Sequence, residues 1–123
     1  MIKLNDFLEA GLWSTLDYYS ENESNTLDGN GFIVDEINED FKKDAEKFID
    51  DFFNKAKHLF TENEIAASPI GHDLWLTVEG HGAGFWDGDY LNGEKITEIV
   101  DSMGFHDNYW SDKLKESINR DGA

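Results

Sequence analysis

Residues 71–90, GHDLWLTVEGHGAGFWDGDY, hold the side chains of this chain most capable of chemistry. His72, Asp73, His81 and Asp87 are types that act as general acids and bases, and a carboxylate beside a histidine can hold it in one tautomer. A catalytic triad also needs a nucleophile set against the base. Only Ser68 and Thr77 stand nearby, neither in an elbow motif. Local hydrogen bonding at turns and strand ends is therefore the better account of the histidines, no catalytic residue is assigned, and the chain is not expected to be an enzyme. A small hydrolase or metal-dependent enzyme built on His72, His81 and Asp87 is the weakest alternative.

A mixed nitrogen and oxygen metal site from His72, His81, Asp87 and Asp89 matches no zinc spacing, and the chain has no HExxH. Residues 87–98, DGDYLNGEKITE, set Asp and Glu at the first, third and last positions of a calcium loop. Leu91 then falls where an oxygen ligand belongs and Asn92 where glycine belongs. Neither a metal nor a cofactor is expected. Gly80, Gly82 and Gly84 share only their glycines with a phosphate loop. No Lys or Arg is near, Glu79 and Asp87 flank them, and an anion would be repelled.

The elements that must position these residues read as a hairpin between helices. Leu74 to Val78 has strand character, and Phe85 to Asp87 could pair with it antiparallel across the glycine-rich turn. Alternation would put Leu74, Leu76 and Val78 on one face, with Trp75 and Thr77 on the other. The glycines would supply positive φ. Such a hairpin offers His72, Asp73, Trp75, His81, Trp86 and Asp87 for contact with a partner, although core packing explains each Trp more simply.

Upstream, residues 5–19 read as a helix capped by Asn5, with Leu4, Leu8, Leu12, Leu16 and Tyr19 in one stripe and Phe7 and Trp13 beside it. A polar loop follows over 20–31, then a short extended piece at 32–34. Asp35 to Phe60 carries apolar residues at Ile37, Phe41, Ala45, Phe48, Phe52, Ala56 and Leu59, close to the helical period. Thr61 to Ser68 adds a helical turn that Pro69 stops. Asn92 to Met103 is a further helix with Gly104 just beyond it. Phe105 to Trp110 reads as a last strand, and Ser111 to Ile118 as a terminal helix capped by Ser111. The expected fold is α+β, three to four helices packed on a small antiparallel β-sheet, forming a single acidic domain over 1–123.

Charge dominates the composition. The 123 residues include 27 Asp and Glu against 10 Lys and Arg, a net of -17, with no Cys and 14% aromatics. The aromatics supply a core, and the lack of Cys excludes disulfides and thiolate metal sites. No apolar run approaches a membrane span, and Asn5, Asp6 and Glu9 interrupt any signal-peptide core. From Leu4 to Phe41 there are ten acidic residues and no basic one. Such a field repels nucleic acid and anionic membranes and attracts basic protein surfaces.

Residues 71–87 also resemble a signature found in a family of small proteins encoded widely by bacteriophages and prophages. Members read G-H-D-F-W-L-T, two variable residues, then G-H-G-A-G-F-W-D; here Leu74 replaces the Phe. Ala10 and Leu12-Trp13-Ser14 are similar to the family's early A-L-W-S segment. Members often continue with a basic residue where this chain has Gly88-Asp89, so no basic role is carried over to that point. The resemblance brings no activity or catalytic residue with it. It implies a phage-encoded protein acting in the cytoplasm of a bacterial host.

In that setting, an acidic protein invites a reading as a DNA mimic. Carboxylates three and four apart on a helix lie about 5–6 Å from each other, and duplex DNA carries one charge per roughly 1.7 Å of axis. Asp35, Glu36, Glu39, Asp40, Asp44, Asp50 and Asp51 could supply a row that fills a Lys/Arg groove, and Asp17, Glu21, Glu23 and Asp28 could extend it. The expected function is inhibition of a host nucleic-acid-binding defence protein, a restriction or CRISPR nuclease. The expected partner is basic, and direct binding to nucleic acid or membrane is not expected. The oligomeric state is left open, with a dimer among the options. The alternative is a binding module that uses the 71–90 hairpin without mimicry.

Overall fold

The computed structural model describes residues 2–17, 25–81 and 83–118. They form six α-helices: α1 (Leu4–Ser14), α2 (Glu39–Ala56), α3 (Glu62–Ala67), α4 (Ile70–Val78), α5 (Gly93–Ser102) and α6 (Tyr109–Ser117). Short 3-10 turns cover Asp28–Asn30, Val34–Glu36 and Lys57–Leu59. The α+β expectation is overturned, because the described residues contain no strand or sheet. Extended pairing is limited to two isolated antiparallel bridges, Leu16 with Thr26 and Ile37 with Ile118.

The expected strand at 74–78 lies inside α4, and the expected strand at 105–110 is a turn leading into α6. The physical reason lies in how fully α4 is covered. Ile70, Gly71 and the run Leu74 to Val78 are all buried. A helix buried on nearly every side loses the polar stripe that betrays its period, and a five-residue apolar run then fits a strand equally well.

The helix starts follow local chemistry in two places. The Asn38 side chain accepts the Phe41 N–H at 2.8 Å to open α2. Thr61 and Glu64 form a reciprocal capping box that opens α3. At α1 the expected Asn5 cap is displaced, since the helix starts at Leu4 after Lys3, and Thr15 turns extended to end it at Ser14, before Leu16; Tyr19 lies outside the described residues. Pro69 stops α3 as expected and stands directly before α4, where its missing N–H costs nothing.

Aromatic rings fill the interior. Phe7 meets Trp75 edge-on at 5.0 Å and Trp110 at 5.8 Å between centroids, while Phe48 packs on Trp110 at 5.1 Å. A second cluster joins Phe52, Phe60, Phe85 and Tyr90. The most extensively packed helix pair is α1 with α4. Gly71 makes this approach possible, since a Cβ there would lie 2.8 Å from the Lys3 carbonyl oxygen and 3.0 Å from the Phe7 nitrogen. No described helix is long and apolar enough to cross a membrane.

Candidate functional site

The 70–92 segment is a helix followed by a loop, not a hairpin, and Asp73, Thr77, Glu79 and Tyr90 serve the fold. The Thr77 hydroxyl donates to the Asp73 carbonyl at 2.8 Å and accepts the Phe85 N–H at 3.1 Å, folding the loop back onto α4. Phe85 is fully buried, stacked on Phe52 with ring planes 13° apart and set edge-on to Phe60 and Tyr90. Gly80 and Gly84 take positive φ of 75° and 141°, the role expected of the turn glycines; Gly82 lies outside the described residues.

Asp73 accepts a hydrogen bond from the Tyr90 hydroxyl. Burial pushes the Asp73 carboxyl above its ordinary range, and the neighbouring Asp87 and Asp89 add to that shift against the opposing effect of Tyr90 and His72. Burial likewise raises the Tyr90 phenol, reinforced by its bond to Asp73 and by that carboxylate's charge. Glu79, which ends α4, reaches the start of α6. There the Trp110 and Ser111 N–H groups each donate to its carboxylate at 3.1 Å. Asn108 stands at the cap position in a left-handed conformation without a capping side-chain bond, so Glu79 does its work from a distant part of the chain. Desolvation raises Glu79 despite these bonds.

The six residues expected on a hairpin contact face do not converge. His72 lies against the exposed Trp13 ring at 5.5 Å. Asp73 is half-buried against Tyr90. Trp75 is fully buried and donates through its indole to Ser14 at 2.9 Å, so it cannot meet a partner. His81 and Trp86 line a different hollow of about 360 Å³ beside α5, and the exposed Asp87 carboxylate lies 3.4 Å from the Gly84 N–H. His72 and His81 thus line different hollows. Among the described residues no three His, Asp or Glu side chains are grouped to hold a metal.

The acidic residues divide more sharply. Asp17 is fully buried and accepts from the Asn30 side chain at 3.0 Å, so it is not part of an exposed acidic face. Glu21 and Glu23 lie outside the described residues. Asp28 and Asp35 are exposed, and Glu36 is half-buried with its carboxylate accepting the Ile33 N–H at 3.1 Å. Glu39, Asp40, Asp44, Asp50 and Asp51 are exposed on α2. That helix is not a continuous row of carboxylates. At about 100° per residue, Lys43 and Lys47 fall between one flank of Glu39, Glu46 and Asp50 and another of Asp40, Asp44 and Asp51. Lys42 reaches Glu39 at 3.6 Å, and Lys113 reaches Asp44 at 3.8 Å.

The other acidic side had little weight in the sequence. α1 packs against both 3-10 turns at 28–30 and 34–36. Asp6 and Glu9 of α1 and Asp28 line a shared hollow of about 510 Å³ with Trp13, Ile33 and His72, and no Lys or Arg lines it. Three acids of the stretch without basic residues are therefore gathered at one hollow. The signal lay in the charge run itself, but which α1 residues point outward depends on the packing of α1 on α4.

These features define an acidic protein whose described residues are all-helical apart from turns and loops. No protein-family model matches the chain, and comparisons with curated proteins and with solved structures find no match.

Proposed function

We propose that the protein is an acidic inhibitor that occupies the nucleic-acid-binding surface of a basic partner, presenting carboxylates in place of phosphates. The bacteriophage signature that residues 71–87 resemble makes a host restriction or CRISPR nuclease in the bacterial cytoplasm the partner of choice. The observation that carries the reading is the hollow beside α1, where Asp6, Glu9 and Asp28 stand together with no Lys or Arg in the lining. The lysine-interrupted face of α2 contributes less than its carboxylate count promises. A surface of one sign steers an oppositely charged partner and resists nucleic acid itself.

The test is a pull-down from a bacterial host with the tagged full chain and a salt-gradient elution, followed by a cleavage assay on the captured nuclease. Release at moderate salt and loss of cleavage are expected. Replacing Asp6, Glu9, Asp28 and Asp35 with Lys should abolish inhibition while circular dichroism stays unchanged. Full inhibition by that folded variant rules out mimicry.

A second reading has one observation in its favour. Trp86 is 39% exposed beside His81 at the lip of the α5 hollow. A partner seated there would depend on Trp86 and resist salt.

A further inference from the structure

The hollow beside α1 is more than a charged surface. Its floor is apolar, with Ala10, Leu12, Phe32 and Val34 in the lining. Its lips carry Trp13 and Ile33, which are 55% and 56% exposed, exceeded only by Leu91 among the large hydrophobic side chains of the described residues. Pro69 and His72 close one end, and the His72 ring lies against the Trp13 indole. Asp6, Glu9 and Asp28 stand around this apolar trough. Asp6, Glu9 and Trp13 follow one another at steps of three and four, so they share one face of α1.

We propose that this groove binds a short cationic segment of a partner protein, one bulky apolar residue flanked by arginines. The apolar anchor would cover Ile33 and the floor. An arginine would stack on the Trp13 face and reach Glu9 or Asp28. A planar guanidinium suits both contacts, because it stacks on indole and forks onto carboxylates, whereas an ammonium does neither as well. The volume of about 510 Å³ falls in the range of a groove that takes a few side chains. Charge decides among occupants. Phosphates would meet carboxylates on both walls, and a second copy of a chain with net charge -17 would be repelled. The proposal goes beyond mimicry, which needs charge alone and gives Trp13 and Ile33 no part.

The probe is a fluorescein-labelled seven-residue peptide alternating arginine with leucine and phenylalanine, titrated with the full chain at about 150 mM salt, where exposed charges more than about 8 Å apart are largely screened. A heptamer of arginine serves as the control. The mixed peptide is expected to bind at least tenfold tighter than oligoarginine. Trp13→Ala and Ile33→Ser should each cost it about tenfold, as should the isosteric pair Glu9→Gln with Asp28→Asn. All three side chains of the last two variants are exposed, and unchanged thermal melting will confirm folding. Equal binding of the two peptides, or full binding by Trp13→Ala, overturns the groove and leaves only charge. Failure of the mixed peptide to bind also overturns it. So does a dimer in sedimentation that Trp13→Ala dissociates, since a second copy then fills the groove. Mimicry is judged separately by the nuclease assay, so either idea can fail alone.

Discussion

Residues 70–93 and residues 4–36 use the same residue types to opposite ends. The first segment concentrates histidine, aspartate, tryptophan and glycine, yet Trp75 and Phe85 are buried, Thr77 and Asp73 tie the loop to α4, and Glu79 holds the start of α6. The second segment looks ordinary, yet it leaves Trp13 and Ile33 exposed among Asp6, Glu9 and Asp28. A dense motif is therefore poor evidence of a reactive surface when its polar atoms already have partners within the fold. An exposed aromatic among carboxylates is the more informative sign, since burial and satisfaction are what remove a residue from binding.

The contrast breaks most readily at Phe85. Phe85→Ala should cost about 3–5 kcal/mol in urea unfolding, because the site is closed on several sides by rings that cannot collapse inward. A loss below about 1 kcal/mol, well short of the usual range for a buried Phe, would mean that the loop is not anchored there. Next in size is Glu79→Ala, which strips two N–H donors of α6 of their acceptor; about 1–3 kcal/mol is expected. Glu79→Gln should recover part of this, since an amide oxygen replaces one acceptor and leaves the second N–H facing an NH₂ group. A variant as stable as the parent would show that α6 starts without this cap.

A smaller effect sharpens the comparison through pH. Glu79 and Asp73 are both raised by burial from ordinary values of 4.5 and 3.8. The folded protein therefore binds protons more readily than the unfolded chain. The stability these groups contribute is fully present below those ordinary values and is lost as pH rises through the raised folded ones. The urea midpoint should rise as pH is lowered from neutral towards the ordinary carboxylate values, and Glu79→Gln should flatten part of that rise. A midpoint that falls over this interval contradicts the burial of both carboxyls. Smaller in stability should be Asp6→Lys, Glu9→Lys and Asp28→Lys, each costing about 1 kcal/mol or less by thermal melting. The same substitutions should have the largest consequences for partner capture.

Legibility followed exposure of the pattern. α2 and α5 each bury one stripe, and both were readable from residues such as Phe41, Phe48, Ile96 and Val100. α4 was not, because apolar side chains surround it on nearly every side and its run fits two periods. The glycine turn was legible as a turn, but pairing it with a sheet required a strand that does not exist. Ser111 was read as the α6 cap, whereas the helix begins at Tyr109 and takes its acceptor from Glu79, 31 residues away from Trp110. No local pattern announces such a cap. Asn92 stands at the cap position of α5, but its side chain makes no capping bond and donates instead to the Leu59 carbonyl at 2.9 Å.

Composition and charge order along the chain determined the acidity, the absence of thiol chemistry and the basic-free stretch from Leu4 to Phe41. These depend only on which residues are present and in what order. Tertiary structure alone decided that Asp17 is buried, that Lys43 and Lys47 split the carboxylates of α2, and that Trp13 stands exposed beside His72. The reason is geometric. A residue's neighbours in space are set by how helices pack, and the approach of α1 to α4 across Gly71 fixes which side of α1 is left for a partner.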